Sequence, residues 1–241
     1  MRGRMEKIVS GEDSGARRED PLAYAVALGY SEEEIKSVPE EAAVCHGCGN
    51  AVARARLRAG EAVVDLGFGA GLDAFLAARQ VGPRGHVIGV DIGLEVVKRA
   101  NAAARKADLK NVEFKQAPIE RLPLADGSID VAISNCVMNH CADKLQAFKE
   151  VFRVLKSGGR LCLSDLVTSG AFPETALKDK VWGEWLRTAL GKAEYLRALE
   201  QAGFHEVTVD GEATFPMAEG DERLRGRIVS IWLTAHKRRG L

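Results

Sequence analysis

Val63-Val64-Asp65-Leu66-Gly67-Phe68-Gly69-Ala70-Gly71-Leu72-Asp73 is an apolar strand that runs directly into glycines and then into a helix. At the carboxyl edge of an open α/β sheet, such a strand-to-helix loop is where nucleotide-type ligands bind. The dinucleotide fingerprint would require a small residue at position 72, where Leu72 stands. Charge separates the ligand classes further. A pyrophosphate at this helix start would lie close to Asp65 and Asp73, whereas a cofactor carrying a cationic amine and a sulfonium is attracted to those carboxylates. S-Adenosylmethionine is such a cofactor. Asp91 closes the next apolar run, where an acid can accept hydrogen bonds from ribose hydroxyls, and Ile92 follows it on the same edge. Gly67, Gly69 and Gly71 would also serve a plain tight turn; the acid at the next strand end favours cofactor binding.

Outward from this stretch, apolar runs alternate with amphipathic segments, the pattern of strands and helices around a parallel sheet. Five parallel strands are expected at 61–66, 85–91, 111–117, 129–136 and 159–167. Leu94, Val97, Ala100 and Ala104 share one helical face, as do Leu145, Phe148, Phe152 and Leu155, with Gly158 just beyond as a stop. A helix at 193–202 ends at Gly203, and alternating Val207 and Val209 and a run at 227–235 supply two closing strands. Before Gly60, Ser31 and Glu34 form a capping-box pattern opening a short helix that Pro39 limits. The expected fold is α/β: a doubly wound, mostly parallel seven-stranded sheet with a small N-terminal helical layer. Its expected division is a mobile arm at 1–20, the helical layer at 21–59, a cofactor-binding core at 60–168, and a substrate-side segment with the closing strands at 169–241.

Composition narrows the partners. The 241 residues are 46% hydrophobic and 28% charged, enough for a full core. Thirty-four Lys and Arg balance thirty-four Asp and Glu, so no global field gathers nucleic acid or an anionic membrane. The start of the chain is polar and no long apolar run occurs, so neither a leader nor a membrane span is read, and a cytoplasmic location is expected. Five cysteines, Cys45, Cys48, Cys136, Cys141 and Cys162, are odd in number and widely spread, which argues for reduced thiols.

From about Leu28 to Phe204 the chain resembles the arsenite methyltransferases, a branch of the class I S-adenosylmethionine-dependent methyltransferases. The resemblance rests on Leu28-Gly29-Tyr30-Ser31-Glu32-Glu33, Gly47-Cys48-Gly49-Asn50, Val64-Asp65-Leu66-Gly67, Val90-Asp91, Ser134-Asn135-Cys136-Val137, and Arg153-Val154-Leu155-Lys156 with Gly158-Gly159. It implies a Rossmann-like methyltransferase fold and cofactor contact by Asp65, Gly67, Gly69, Gly71, Asp91 and Asn135, with Ile119 and Glu120 near the adenine. It also implies trivalent arsenic held by several thiolates, one of them from Cys136, since thiolates suit a soft centre. Two thiol positions of the family are empty. Ser10-Gly11-Glu12-Asp13-Ser14-Gly15 contains no cysteine, and Trp185 of Val181-Trp182-Gly183-Glu184-Trp185-Leu186 stands where a later cysteine is expected.

Cys136, closing the fourth strand, and His140 just after it are the candidate catalytic residues; a buried packing role for the thiol and a capping role for the imidazole are the plainer readings. Cys45-His46-Gly47-Cys48 is one C-x-x-C without a second pair, so no resident metal is expected. Cys45 and Cys48 are candidates for the substrate side. Trp182 and Trp185, three apart on a helix, suit either packing or the wall of a substrate cavity. Three functions follow in order: S-adenosylmethionine-dependent methyl transfer to a small-molecule or metalloid acceptor; sequestration of arsenite or a soft ion by Cys45, Cys48 and Cys136 without catalysis; and nicotinamide-dependent oxidoreduction.

Overall fold

The computed structural model describes residues 21–180, 182–215, 218 and 221–238. The expected mobile arm at 1–20 lies outside the described residues. Helices α1 (Pro21–Ala27), α2 (Glu32–Lys36) and α3 (Ala51–Ala55) form the N-terminal layer. The capping box is present: Glu34 N–H donates to Ser31 Oγ, and Ser31 N–H donates to the Glu34 carboxylate.

The sheet comprises β1 (Ala62–Leu66), β2 (His86–Asp91), β3 (Val112–Gln116), β4 (Ile129–Asn135), β5 (Leu155–Thr168), β6 (His205–Thr214) and β7 (Ile228–His236). Its order is β3-β2-β1-β4-β5-β7-β6. The first five strands are parallel, and β7 runs antiparallel between β5 and β6. Helices α4 (Leu72–Val81), α5 (Leu94–Lys106) and α6 (Lys144–Val154) connect the parallel strands; α7 (Glu174–Leu177), α8 (Gly183–Thr188) and α9 (Lys192–Gln201) follow β5.

Parallel strands need cover on both faces, and β1 shows how the sequence supplies it. Val63 packs in a core with Phe75, Ala100 and the N-terminal layer, while its neighbour Val64 points to the other face, among Phe148, Val151 and Tyr195. A third, smaller cluster joins Leu166, Leu186, Phe215 and Ile228.

One boundary differs from the periodicity. Leu155 was expected on the helical face ending at Gly158, yet α6 stops at Val154 and Leu155 begins β5, paired with Ile129. Leu155 N–H still donates to Val151 O, completing the last helical turn, and its side chain is fully buried under the sheet. The Lys237 ammonium closes the helix end, donating to the carbonyls of Phe152 and Leu155 at 2.7 Å each. A cation from β7's trailing end thus does what a glycine cap was expected to do.

Phe68, Phe75 and Phe114 form a tilted aromatic group beneath the glycine loop, with Phe68 and Phe114 centroids 4.6 Å apart. Gly89 in β2 leaves room for it: a Cβ there would lie 2.5 Å from Phe114 and 2.9 Å from Phe68. Gly89→Ala is expected to destabilise the fold by about 1–3 kcal/mol through overpacking, read as a lower urea midpoint at unchanged slope.

Candidate functional site

β1 and β4 lie side by side, but the chain leaves β1 toward β2 and β3 and leaves β4 toward β5. This is a topological switch point, and a cavity of about 470 Å³ opens at the strands' carboxyl ends, partly roofed by residues 44–47.

The glycine loop builds one wall. Gly67, Gly69 and Gly71 all have positive φ, at 65°, 56° and 103°. At Gly67 a side chain would also collide with Val137, so the loop and the segment after β4 close on each other only because no Cβ intervenes. Asp91 is tied to this loop: Gly69 N–H donates to Oδ2 at 3.2 Å and Gly93 N–H to Oδ1 at 2.9 Å.

Asp65, Asp73 and Asp91 are all buried and all line the cavity. Burial first, then the nearby charges of Asp73 and Asp91, push the Asp65 carboxyl well above its usual range. Its Oδ2 has no hydrogen-bond partner. A buried, unpartnered carboxylate oxygen in a cavity wall complements a cationic N–H donor, as S-adenosylmethionine's amine would supply. Asp73 is differently placed, accepting from Tyr30 Oη at 2.7 Å and Asn135 Nδ2 at 3.1 Å, and burial still raises its pKa.

Ile92 and Ile119 face the same cavity, giving it an apolar side suited to a ring. Glu120 lines it too, its carboxylate accepting from Ala142 N–H at 2.9 Å. His140 sits at the cavity edge. Desolvation followed by the Lys144 charge lowers its pKa below the ordinary histidine value.

Cys136 adopts φ 64°, a left-handed conformation that non-glycine residues rarely take, with its N–H donating to Ser164 O at 2.7 Å. Backbone strain of this kind gathers at functional positions. It packs against the buried cluster that holds Cys48, and burial, followed by the neighbouring Cys136 side chain, raises the Cys48 pKa well above the ordinary thiol value. Cys45 lines the same cavity as Cys136 but packs in the core of the N-terminal layer, whereas Cys48 belongs to the third cluster. Among the described residues no group of three His, Cys, Asp or Glu side chains could hold a metal ion.

Trp182 and Trp185, with ring centroids 6.0 Å apart, pack against the cluster that contains Cys48, and Cys136 packs against it too. Phe215 adds a third ring at 6.4 Å from Trp182. Sequence reasoning gave Tyr30 no role of its own, and left Asp165, near the end of β5, either facing the pocket or capping the next segment; it is not among the cavity-lining residues. The Asp165 carboxylate accepts from Tyr195 Oη, Asn139 N–H and Leu166 N–H, and burial raises its pKa to about 6. Its alternation within β5 was the available signal.

A family model described as "Methyltransferase domain" matches residues 57–203. The chain is similar to an arsenite methyltransferase of Halobacterium salinarum, 41% identical over 234 residues, covering 95% of this chain and 60% of that protein. It is also 37% identical over 186 residues to an arsenite methyltransferase of Mus musculus, covering 73% of this chain and 49% of the mouse protein. The chain therefore spans about half to three-fifths of the length of these curated relatives. Among solved structures, an arsenic(III) S-adenosylmethionine methyltransferase from Chlamydomonas reinhardtii superposes with a TM-score of 0.67 at 30% identity, covering 91% of this chain and 74% of that one. No helix among the described residues is long and apolar enough to cross a membrane.

An ammonium ligand requires Asp65 as carboxylate, and its raised pKa means that the ligand-free protein takes up a proton there as pH falls toward that value. S-Adenosylhomocysteine, which keeps the amine, is therefore expected to bind more tightly as pH rises through this range, with proton release. Calorimetry in buffers of different ionisation enthalpy reads it. Asp65→Asn should flatten the pH dependence and weaken binding by about tenfold to a hundredfold.

Proposed function

The chain belongs to the S-adenosylmethionine-dependent methyltransferases, in their arsenite methyltransferase-like branch, and on that premise we propose that it methylates a small trivalent arsenical captured by Cys48 and Cys136. The observation that carries this reading is that two cysteines from distant parts of the chain meet in one cluster, Cys48 inside it and Cys136 packed against it on the cofactor cavity's edge. S-Adenosylmethionine, when bound, supplies an electrophilic methyl group on a sulfonium.

In this reading Asp65 accepts from the cofactor's amine and Asp91 from its ribose. Gly67, Gly69 and Gly71 keep the loop wall free of side chains, and Ile92, Ile119 and Glu120 flank the base. Family membership and Asp65 together set aside the nicotinamide reading. On the acceptor side, each thiol that joins arsenic displaces one oxygen ligand, released as water with the thiol proton, and the arsenic lone pair stays free for the methyl carbon. Thiolate ligands suit such a soft centre. With the acceptor fixed, catalysis is chiefly positioning. His140 serves as a proton acceptor at the same edge.

Trp185 offers an aromatic wall and no ligand. The pair therefore satisfies two arsenic valences, and the third stays with an oxygen or carbon substituent of the acceptor itself. The 169–241 segment supplies this side of the site through Trp182, Trp185 and Phe215.

Incubation with methyl-labelled cofactor and a panel of arsenite, methylarsenite, small phenols and small amines, read by mass spectrometry, tests the proposal. Labelled arsenicals are expected from the wild type, with Cys136→Ser and Cys48→Ser each lowering the rate by about a hundredfold or more. Labelling confined to the phenols or amines, arsenic binding without methylation, or undiminished arsenic methylation by Cys136→Ser would overturn it.

A further inference from the structure

Asn135 closes β4, its side chain at the edge of the cofactor cavity. Its amide is engaged on both atoms by protein. Oδ1 accepts from Cys48 N–H at 2.9 Å. Nδ2 donates to Gly49 O at 2.7 Å, to Tyr30 Oη at 3.0 Å and to Asp73 Oδ2 at 3.1 Å. The fit is close, because any Cβ on Gly47 would run into this amide.

Two bonds hold the 47–48 and 49–50 peptides, which bracket the Cys48-Gly49 pair. The outer side of that segment is held by Ser230, whose hydroxyl donates to Cys48 O at 2.7 Å, and by Tyr24, whose hydroxyl donates to Gly47 O at 2.8 Å. Neither of these reaches the β4 end. Among the hydrogen bonds of the described residues, those of Asn135 relate Cys48 to the strand end that leads into Cys136, since Asn135 is covalently joined to one thiol residue and hydrogen-bonded to the other.

We propose that Asn135 is a positioning residue whose side-chain amide sets the Cys48 thiol against Cys136, building the arsenical-binding pair, and that its engagement with protein leaves it little part in cofactor affinity. The proposal rests on the reading of Cys48 and Cys136 as the acceptor site. A preformed dithiol gains from the second thiol acting as an intramolecular ligand at high effective concentration. Loosening the 47–49 segment lowers that concentration while both thiols stay chemically intact and Asp73, though it loses one donor, keeps the Tyr30 hydroxyl.

Phenylarsine oxide is the probe. It condenses with two thiols to a dithioarsinite, each sulfur gaining a bond to arsenic while the oxide oxygen leaves as water with both thiol protons. Calorimetry of the reduced, full-length chain gives its affinity, thiol titration gives the sulfurs consumed, and S-adenosylhomocysteine affinity is measured on the same samples. Wild type is expected to consume two thiols that Cys136→Ser does not. Asn135→Ala should lose about tenfold or more in phenylarsine oxide affinity, with S-adenosylhomocysteine affinity held within about threefold. If Asn135→Ala fails the circular-dichroism check of folding, Asn135→Asp is read instead; it keeps the acceptor for Cys48 N–H, sets an oxygen against Gly49 O and Asp73, and should show the same separation of affinities.

Unchanged arsenical affinity overturns the proposal. So does an equal loss of both affinities, which would mark a general structural role, or a selective loss of S-adenosylhomocysteine, which would mark a cofactor ligand. A wild type that consumes no more thiols than Cys136→Ser overturns the thiol-pair reading itself, a result distinct from failure of Asn135 alone.

Discussion

The parallel pairing of β1 with β4, from Val63 against Val131 to Leu66 against Ser134, is the contact on which the site depends. It joins two strands far apart in sequence and sends their following segments to opposite sides. The glycine loop leaves β1 for α4, while Cys136 leaves β4 toward the Met138–His140 turn. The opening between them is the cavity, and Asp91 reaches it from β2, one strand further out. A slip of this register by one residue would turn Val63 and Val64 to the wrong cores, so the two hydrophobic faces hold the chemical edge in place.

Burying three carboxylates at that edge is costly, and the structure distributes the cost unevenly. Asp91 is offset by loop amides and Asp73 by the Tyr30 hydroxyl and the Asn135 amide. Asp65 keeps one oxygen without a partner. Polar groups inside a fold are normally satisfied, so the exception locates where an external donor belongs. The left-handed Cys136 is a second local cost on the opposite wall, held by its bond to Ser164 O. Unsatisfied polarity and backbone strain thus face one cavity from its two sides, as expected where function overrides local stability.

Much of this was legible in the sequence because the signals are local. The glycine loop, Asp91, the capping box at Ser31 and the seven-stranded sheet all follow from residues near one another in the chain. The helix end at Val154 was not, since Leu155 continues the apolar spacing of α6 and the cation that closes the helix is Lys237, more than eighty residues away. Cys48 could be placed in a family segment, but its place in the fold is held by a backbone hydrogen bond to Asn135 across 87 positions and by Ser230 across 182. Cys45, three residues from Cys48, looked like its partner; the turn between them sends it into a different core.

The division of the core into three clusters bears on how such a site can vary. Tyr30, Asp73 and Asn135 bind the N-terminal layer, the glycine-loop helix and β4 into one hydrogen-bonded unit. Trp182, Trp185 and Phe215 belong instead with the small third cluster, which meets that unit through Cys48 and Cys136. A side chain can be exchanged on this aromatic side without disturbing the acids or the loop. Trp185, where the sequence led a cysteine to be expected, stands on that side: an indole there shapes the wall of the third cluster while the acids and the glycine loop belong to a separate unit.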